Sequence, residues 1–501
     1  MIEALLNALP HVFDPANLFA VILGTVAGLL VGALPGLSVT TGLAVLIPLT
    51  FGMDPLFALG MMAGMYNGGS YGGAIPAILL RVPGTAASVA TLLDGHEMTK
   101  QGRAAYALQV AVVSGVIGSV LSAGSLIVLA PWLVKVSLMF GPAEYFWVAL
   151  LGLATVASLL GEDFLKGLIA AVIGLLVGSI GTDLATGTER YTFGLLEMAE
   201  GMDIVVLLTA LFAVPPVIRM MESAGKEGMP KEMLKLRRQG SVLREWRRFL
   251  PIWMRSSVIG IIIGILPGAG GSMSCYLAYN DARNRSKDPS SFGKGNPEGV
   301  AASETGNGAD NAASMIPALS LGIPGSGVAA VILGGLLVHG LRPGPQLFAD
   351  HPDVVYGFML QMLLSAFLLI LVGGLAATRI FGQALRLPHV VLAPLILLFV
   401  AIGVYAVNNA MFDLYLLFGV GVIAYAMERL DYPSAPVILG AILGPIAESQ
   451  LSLALTIAGG HPLALIASPM SIIVVGLTLF VLTVPLWGMW KLRRKRAAAA
   501  P

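Results

Sequence analysis

Ile75-Pro76-Ala77-Ile78-Leu79-Leu80-Arg81-Val82-Pro83-Gly84-Thr85 recurs half a chain later as Ile316-Pro317-Ala318-Leu319-Ser320-Leu321-Gly322-Ile323-Pro324-Gly325-Ser326. The prolines stand seven positions apart in each copy, and the copies are offset by 241 residues (317 − 76). Soluble domains rarely set Pro and Gly in such apolar sequence. Paired interrupted segments in the two halves of a membrane chain point to a transporter's binding site. Backbone groups freed by the breaks can there face a substrate or an ion instead of lipid.

Composition supports a membrane setting. The chain is 56% hydrophobic and 11% charged, with a mean hydropathy of +0.85, whereas a soluble chain carries about 25% charged residues. Stretches such as Phe19–Leu34, Val110–Trp132, Phe358–Ala377 and Ile466–Trp487 are long enough to cross a hydrocarbon core of about 30 Å. The expected fold is an all-α polytopic membrane protein with roughly ten to twelve transmembrane helices. A net charge of +1 argues against a nucleic-acid partner. The single cysteine, Cys275, rules out an intrachain disulfide and a cysteine metal cluster, and reads as small apolar filler. Met1–Pro15 contains Glu3 and Asp14 but no Lys or Arg, so the first apolar segment is expected to stay as a helix and not to be a cleaved signal.

The strongest polar interruption is Met220–Arg248, which holds eight basic residues and four acids, and the tail from Lys491 to Arg496 is basic without an acid. Positive charge marks cytoplasmic segments, which places both inside and the N-terminus outside. The reading divides the chain into a first transmembrane repeat over 1–219, a basic cytoplasmic linker over 220–250, a second repeat over 251–490, and a cytoplasmic tail over 491–501. The two repeats then have opposite orientation, with broken or re-entrant helices at the midplane. A second pair of anchors, Gly32-Ala33-Leu34-Pro35-Gly36 and Gly264-Ile265-Leu266-Pro267-Gly268, supports duplication at an offset of 232 (267 − 35). Segments 252–266 and 270–280 are expected to run up and back, bending at Pro267-Gly268.

A polar, glycine-rich run precedes each break: Tyr66-Asn67-Gly68-Gly69-Ser70-Tyr71-Gly72-Gly73 and Glu304-Thr305-Gly306-Asn307-Gly308-Ala309-Asp310-Asn311. Neither makes a good lipid-facing helix, since Gly costs about 1 kcal/mol relative to Ala and unsatisfied backbone in hydrocarbon costs several kcal/mol per group. They are expected to be buried in protein or to line a water-filled cavity; the plainer alternative is two ordinary loops. They supply amides, hydroxyls and two carboxylates. N–H groups at half-helix N-termini suit an anion, while carbonyls and carboxylates suit a coupling cation.

The expected substrate contacts are Asn67, Ser70, Tyr71, Gly72, Gly73, Arg81, Pro83, Gly84 and Thr85 on one side, and Asn307, Asn311, Pro324, Gly325 and Ser326 on the other. Glu304 and Asp310 are the ion-coupling candidates, against the alternative of solvated loop carboxylates or, for Glu304, a hydrogen-bond hub. Arg81, inside an apolar stretch, is either a carboxylate clamp or a snorkelling or ion-paired residue. Asp94-Gly95-His96-Glu97 with Lys100 reads as an exposed turn, and Glu162-Asp163 and Asp413 as interfacial. His339 and His461 read as structural or interfacial residues and not as ligands. No metal-ligand spacing, phosphate-binding loop or nucleophile motif is visible, so the chain is not expected to be an enzyme or to hold a cofactor beyond its coupling ion, Na+ or H+.

At these motifs the chain resembles the large membrane subunit of the tripartite tricarboxylate transporters, the TctA type. The first signature is carried by Tyr71-Gly72-Gly73, Ile78-Leu79-Leu80, Pro83-Gly84, Ala86-Ala87-Ser88-Val89-Ala90-Thr91 and Asp94-Gly95. The second is carried by Phe292-Gly293-Lys294-Gly295, Gly299-Val300-Ala301-Ala302, Glu304, Asn307, Ile316-Pro317, Leu321 to Ser326, His339-Gly340-Leu341 and Pro343-Gly344-Pro345. The resemblance covers nearly the whole chain. It implies ion-driven import of citrate-like di- or tricarboxylates across the bacterial inner membrane. It also implies two partners, a small four-helix membrane subunit and a periplasmic solute-binding protein, and an elevator-like movement of one domain by analogy. Arg81 stands where the family usually has Asn, Pro76 replaces a small or hydroxyl residue, Glu97 a Pro, and Gly308 a second Asn. An extra Arg suits a further or an aromatic carboxylate. The rival class is a passive anion or ion channel built on the same broken helices.

Overall fold

The computed structural model describes residues 2–34, 36–159, 164–183, 187–223, 242–268, 270–376 and 389–498. Most of the basic linker and the side chains of the tail, on which the orientation reading depends, lie outside the described residues, as do Pro35, Glu162 and Asp163. The chain is almost wholly helical. Among the described residues eight helices are long and apolar enough to cross a membrane, and four shorter apolar helices accompany them. The exposed turn expected at Asp94–Lys100 is not found: these residues close the helix Val89–Lys100, and Asp94 is fully buried. Its carboxylate accepts from the N–H groups of Gly295 (2.9 Å) and Asn296 (2.8 Å) and from the Tyr279 hydroxyl (2.8 Å). Those tertiary partners override the local Asp-Gly turn signal. Glu97, on the exposed side of the same helix, is held below the usual carboxylate range by its hydrogen bond from Lys100.

Two compact units interleave the halves of the sequence: Met1–Val134 with Phe212–Ala410, and Lys135–Leu211 with Met411–Pro501. In the first, the helices Pro15–Ala33 and Pro55–Gly72 lie parallel in close contact. A Cβ at Gly24, Gly28 or Gly32 would overlap backbone atoms of Met61, Met65 or Gly69, so these small residues set the separation of the helices. Trp246–Ile265 packs on Pro297–Ala313 in the same way: a Cβ at Gly260 or Gly264 would crowd the carbonyls of Gly306 (2.6 Å) or Asp310 (3.0 Å). Gly270–Arg285 returns from the bend at Pro267-Gly268, as the sequence reading expected.

The two Pro-Gly motifs adopt matching structures. Ala74–Leu80 and Met315–Leu321 are short helices that end in left-handed residues, Arg81 (φ 61°) and Gly322 (φ 74°). Beyond the ends, Val82 N–H bonds the Pro76 carbonyl (3.4 Å) and Ile323 N–H that of Pro317 (3.3 Å). Gly84 N–H then bonds Gly73 O (3.2 Å) and Gly325 N–H bonds Ser314 O (3.1 Å). A Cβ at Gly84 would overlap the Gly32 carbonyl, and one at Gly325 the Gly264 carbonyl. Every partner in the second motif is the repeat equivalent of its partner in the first.

In the second unit, Phe164–Gly178 and Ser434–Ile457 meet at Gly174 and Gly440, each against the other helix's backbone. Glu144, near the start of Pro142–Leu159, accepts from Gly141 N–H (2.8 Å), Ser471 Oγ (2.9 Å) and Ser468 Oγ. A two-stranded antiparallel ladder pairs Gly181–Thr182 with Glu189–Arg190. Arg190 bridges Asp183 (2.5 Å) and Glu448 (2.6 Å). The sequence reading did not foresee this ladder.

Candidate transport site at the crossing of two polar helices

Both polar runs are helical, despite their glycine content. Tyr66–Gly72 closes the helix Pro55–Gly72, and Glu304–Asn311 lies within Pro297–Ala313. The propensity cost of each Gly, about 1 kcal/mol, is offset by close approach. A Cβ at Gly68 would overlap the Thr25 carbonyl, and one at Gly308 the Gly115 carbonyl. The departure at Gly308 therefore follows from the tight seat of the helix Ala104–Ser137 against it. Residues 62–72 are all buried, and so is every residue of Pro297–Ala313 except Glu298. The runs thus lie inside protein and are not loops.

The helices cross antiparallel, and their polar side chains bond to one another. Ser70 Oγ donates to Asn311 Oδ1 (3.1 Å), Asn311 Nδ2 to Asn67 Oδ1 (2.9 Å), and Asn307 Nδ2 to the Ser70 carbonyl (3.2 Å). Asn67 Nδ2 donates onward to Met362 O (3.0 Å) and Ser365 Oγ (2.7 Å). The Tyr66 hydroxyl joins Ser314 Oγ (3.0 Å) and Ser326 Oγ (3.2 Å), which ties the crossing to the second break.

Glu304 is 1% exposed. The Thr91 hydroxyl donates to its Oε1 and is itself 2.8 Å from Ser303 Oγ. Glu304 Oε2 and Asp310 Oδ1 are buried without a hydrogen-bond partner among the described residues. A buried carboxylate lacking a cationic partner is costly unless it takes up a proton or a metal cation. A cavity of about 10 Å³ lies among Asn67, Ser70, Tyr71, Glu304, Asn307 and Asn311, room for about one water molecule. No cluster of three or more His, Cys, Asp or Glu able to hold a metal occurs among the described residues.

The structure therefore gathers Asn67, Ser70, Tyr71, Asn307, Asn311 and Glu304 at one place. Gly72 and Gly73 sit at the helix end just beyond it, Gly72 against the Leu29 carbonyl. Thr85 and Ser326 follow the breaks; Ser326 caps Gly327–Val338 by accepting from Ala329 N–H (3.1 Å), and Thr85 forms a capping box with Ser88. Gly84, Pro324, Gly325 and Ser326 are buried, but Arg81 and Pro83 are exposed. Arg81 forms no ion pair among the described residues and does not reach the crossing. Asp310, 2% exposed, turns its carboxylate toward Gly264 and Gly271 and does not line the cavity. Tyr66, Thr91, Ser314 and Ser365 were missing from the expected contacts. Tyr66 and Ser314 carried a signal, since the 241-residue offset places them opposite Asn307 and Gly73, and Thr91 stands in the first family signature; Ser365 carried none.

Buried polar helices that cross beside paired backbone breaks, in a multi-pass membrane protein, are an arrangement that suits a transporter. The chain belongs to the Tripartite tricarboxylate transporter TctA family, whose profile matches residues 18–439. It is 35% identical over 471 residues, 93% of each chain, to an Agrobacterium vitis protein described as "Uncharacterized 52.8 kDa protein in TAR-I ttuC' 3'region". It is 34% identical over 220 residues to an "Uncharacterized protein in TAR-II ttuC' 3'region" of the same organism, covering 44% of this chain and 90% of the relative. No solved structure matches.

Proposed function

We propose that this chain is the permease subunit of a secondary transporter that imports organic di- or tricarboxylates by symport with Na+ or H+. The observation that carries the reading is Glu304, buried at the helix crossing with an oxygen that has no hydrogen-bond partner among the described residues. Such a group supplies a seat whose occupancy can be coupled to closure of the site. Asn67, Ser70, Tyr71 and Thr85 meet the carboxylate from one half, and Asn307, Asn311 and Ser326 from the other, once the crossing opens. Its setting is the bacterial inner membrane with the C-terminus in the cytoplasm. Its partners are a small four-helix membrane subunit and a periplasmic binding protein that delivers substrate. The antiparallel crossing and the matched break contacts support two inverted repeats. A passive pore fits less well, because the crossing closes to room for about one water molecule.

The test is uptake of a radiolabelled carboxylate panel by cells expressing the chain with both partners, with and without a sodium gradient. Accumulation above the outside concentration, lost when any component is omitted, is expected. Equilibration alone, or uptake that survives omission of the binding protein, overturns the proposal.

A further inference from the structure

We infer that the connection between the helices Phe164–Gly178 and Ile204–Phe212 is a lipid anchor, in which Tyr191, Phe193, Leu195 and Leu196 enter the boundary between headgroups and acyl chains of a zwitterionic bilayer surface. This role goes beyond transport and holds whatever the chain carries. Depth is the first observation. Lys166, in the first turn of Phe164–Gly178, donates to Leu430 O (2.8 Å) and meets Asp431, so these charges mark one membrane face. The helix ends twelve residues later (178 − 166), with Gly178 against the backbone of Ala441 in Ser434–Ile457. That second helix runs on for seven residues (448 − 441) to Glu448, where Arg190 of the connection bonds it at 2.6 Å. Nineteen residues at 1.5 Å each span about 28 Å, close to a hydrocarbon core of about 30 Å. The ion pairs of Arg190 with Glu448 and Asp183 therefore stand at the opposite face, and the connection lies along it.

The connection is folded back on the end of its helix. Thr182 N–H bonds Ala199 O (2.8 Å) and Asp183 N–H bonds Thr188 O (2.9 Å), and a Cβ at Gly181 would meet Gly201 N at 2.8 Å. Its two ends are thus held together, which keeps the residues between them near that face. Thr192 and Met198 turn inward, at 4% and 6% exposure, whereas Phe193 is 85% and Leu196 83% exposed, with Tyr191 and Leu195 exposed beside them. Tyr191 (φ 54°) and Phe193 (φ 53°) are left-handed without being glycine, a strain that persists only where the surroundings impose it. Aromatic rings at headgroup depth are the usual anchors of a membrane protein, while in water four large apolar groups gain nothing. Charge then sets the depth and the lipid. Residues 179–203 carry five acids against one base, Arg190, and Glu189, Glu197 and Glu200 are exposed. Those carboxylates oppose hydrocarbon and anionic headgroups alike, which leaves the interface of a zwitterionic lipid.

The sole cysteine, Cys275, is buried, so a nitroxide attaches only at an introduced one. The full chain is reconstituted in phosphatidylcholine vesicles with the label at Phe193→Cys or at Leu196→Cys. Val422→Cys, 58% exposed midway along Met411–Arg429, is the hydrocarbon reference, and Asp288→Cys, exposed in a polar loop, is the water reference. Depth is read from relaxation of the label by oxygen and by a water-soluble nickel chelate. Both loop labels should lie about 5–10 Å below the headgroup phosphates, between the two references. Agreement of the two positions keeps a local disturbance at the left-handed Phe193 from deciding the result. Partial replacement of the lipid by phosphatidylglycerol should bring both labels nearer the water. Nickel access equal to that of Asp288→Cys puts the loop in water and overturns the anchor. Exclusion of both oxygen and nickel means that a second copy of this chain covers the loop, and overturns it as well. A depth unmoved by phosphatidylglycerol overturns the choice of zwitterionic lipid.

Discussion

Ser70 and Asn311 are joined by a hydrogen bond of 3.1 Å and stand 241 positions apart, the offset that relates the two Pro-Gly motifs. Positions related by the motif offset therefore touch each other at the crossing. Asn311 also donates to Asn67 Oδ1, so its side-chain amide makes two bonds across the crossing. Asn311→Ala strands the Asn67 carbonyl and the Ser70 hydroxyl in a buried site, at about 1–3 kcal/mol for each unsatisfied group. Melting should fall accordingly and uptake should drop at least about tenfold. Asn307→Ala removes one bond to a backbone carbonyl, so membrane abundance should stay near wild type while uptake is lost. Retained uptake would take Asn307 out of the site.

The matched glycines give a sharper test of backbone approach. A Cβ at Gly84 would overlap the carbonyl of Gly32, and one at Gly325 that of Gly264, whereas Gly124 has nothing within 4 Å. Gly84→Ala and Gly325→Ala should each destabilise by about 1–3 kcal/mol through overpacking. Gly124→Ala should be neutral or slightly stabilising, since it replaces a helical Gly. Thermal melts of the three variants decide the matter. Equal melting for all three would mean that the break contacts are not tight.

Asp94 fastens the helix that follows the first break to the loop before the second polar helix. It accepts three hydrogen bonds in full burial. Asp94→Ala should therefore cost about 2–4 kcal/mol, from the two orphaned N–H groups of Gly295 and Asn296 and the Tyr279 hydroxyl. Asp94→Asn keeps an acceptor oxygen and should lose less. A melt in which both variants match wild type would show that this joint does not contribute to stability.

The sequence made the breaks legible because Pro and Gly act locally: both interruptions and the bend at Pro267-Gly268 follow from residue type, whereas the left-handed Arg81 does not. The burial of the polar runs was legible too, from the cost of exposing them to lipid. Their helicity was not, because it depends on glycines seated against distant carbonyls such as Thr25 and Gly115. The bonds of Asn67 to Met362 and Ser365 cross almost 300 residues and leave no periodic trace. Asp94-Gly95 misled for the same reason, since the partners that hold Asp94 in a helix lie about 200 positions away.

The two breaks share a backbone but differ in exposure. Val82 is 42% exposed at the first, whereas its equivalent Ile323 is 3% exposed at the second. The second is covered by the segment that follows Gly327–Val338: Gly344 N–H bonds Leu319 O at 2.8 Å, and Pro343 lies beside Gly322. Val82→Cys should react with a hydrophilic maleimide in membranes, and Ile323→Cys should not, over a quiet background from buried Cys275. Equal labelling of the two would show that the second break is as open as the first.

Arg81 occupies a left-handed position (φ 61°) where the second motif has Gly322. A non-glycine residue there carries about 1–2 kcal/mol of strain, so the backbone will accept Arg81→Gly with a stability change within about 1 kcal/mol. That makes the variant a clean probe of the side chain. Arg81 is exposed and lies away from the crossing, which suits a residue that meets a carboxylate on its way in and not in the closed site. Arg81→Gly should then raise the KM for uptake about tenfold and leave the maximal rate near wild type. Arg81→Lys should fall between, because an ammonium keeps the charge but cannot grip a carboxylate with two parallel bonds. An unchanged KM in both variants would remove Arg81 from the substrate path, and a collapse of the maximal rate would mean that it acts at the crossing after a rearrangement of the first break.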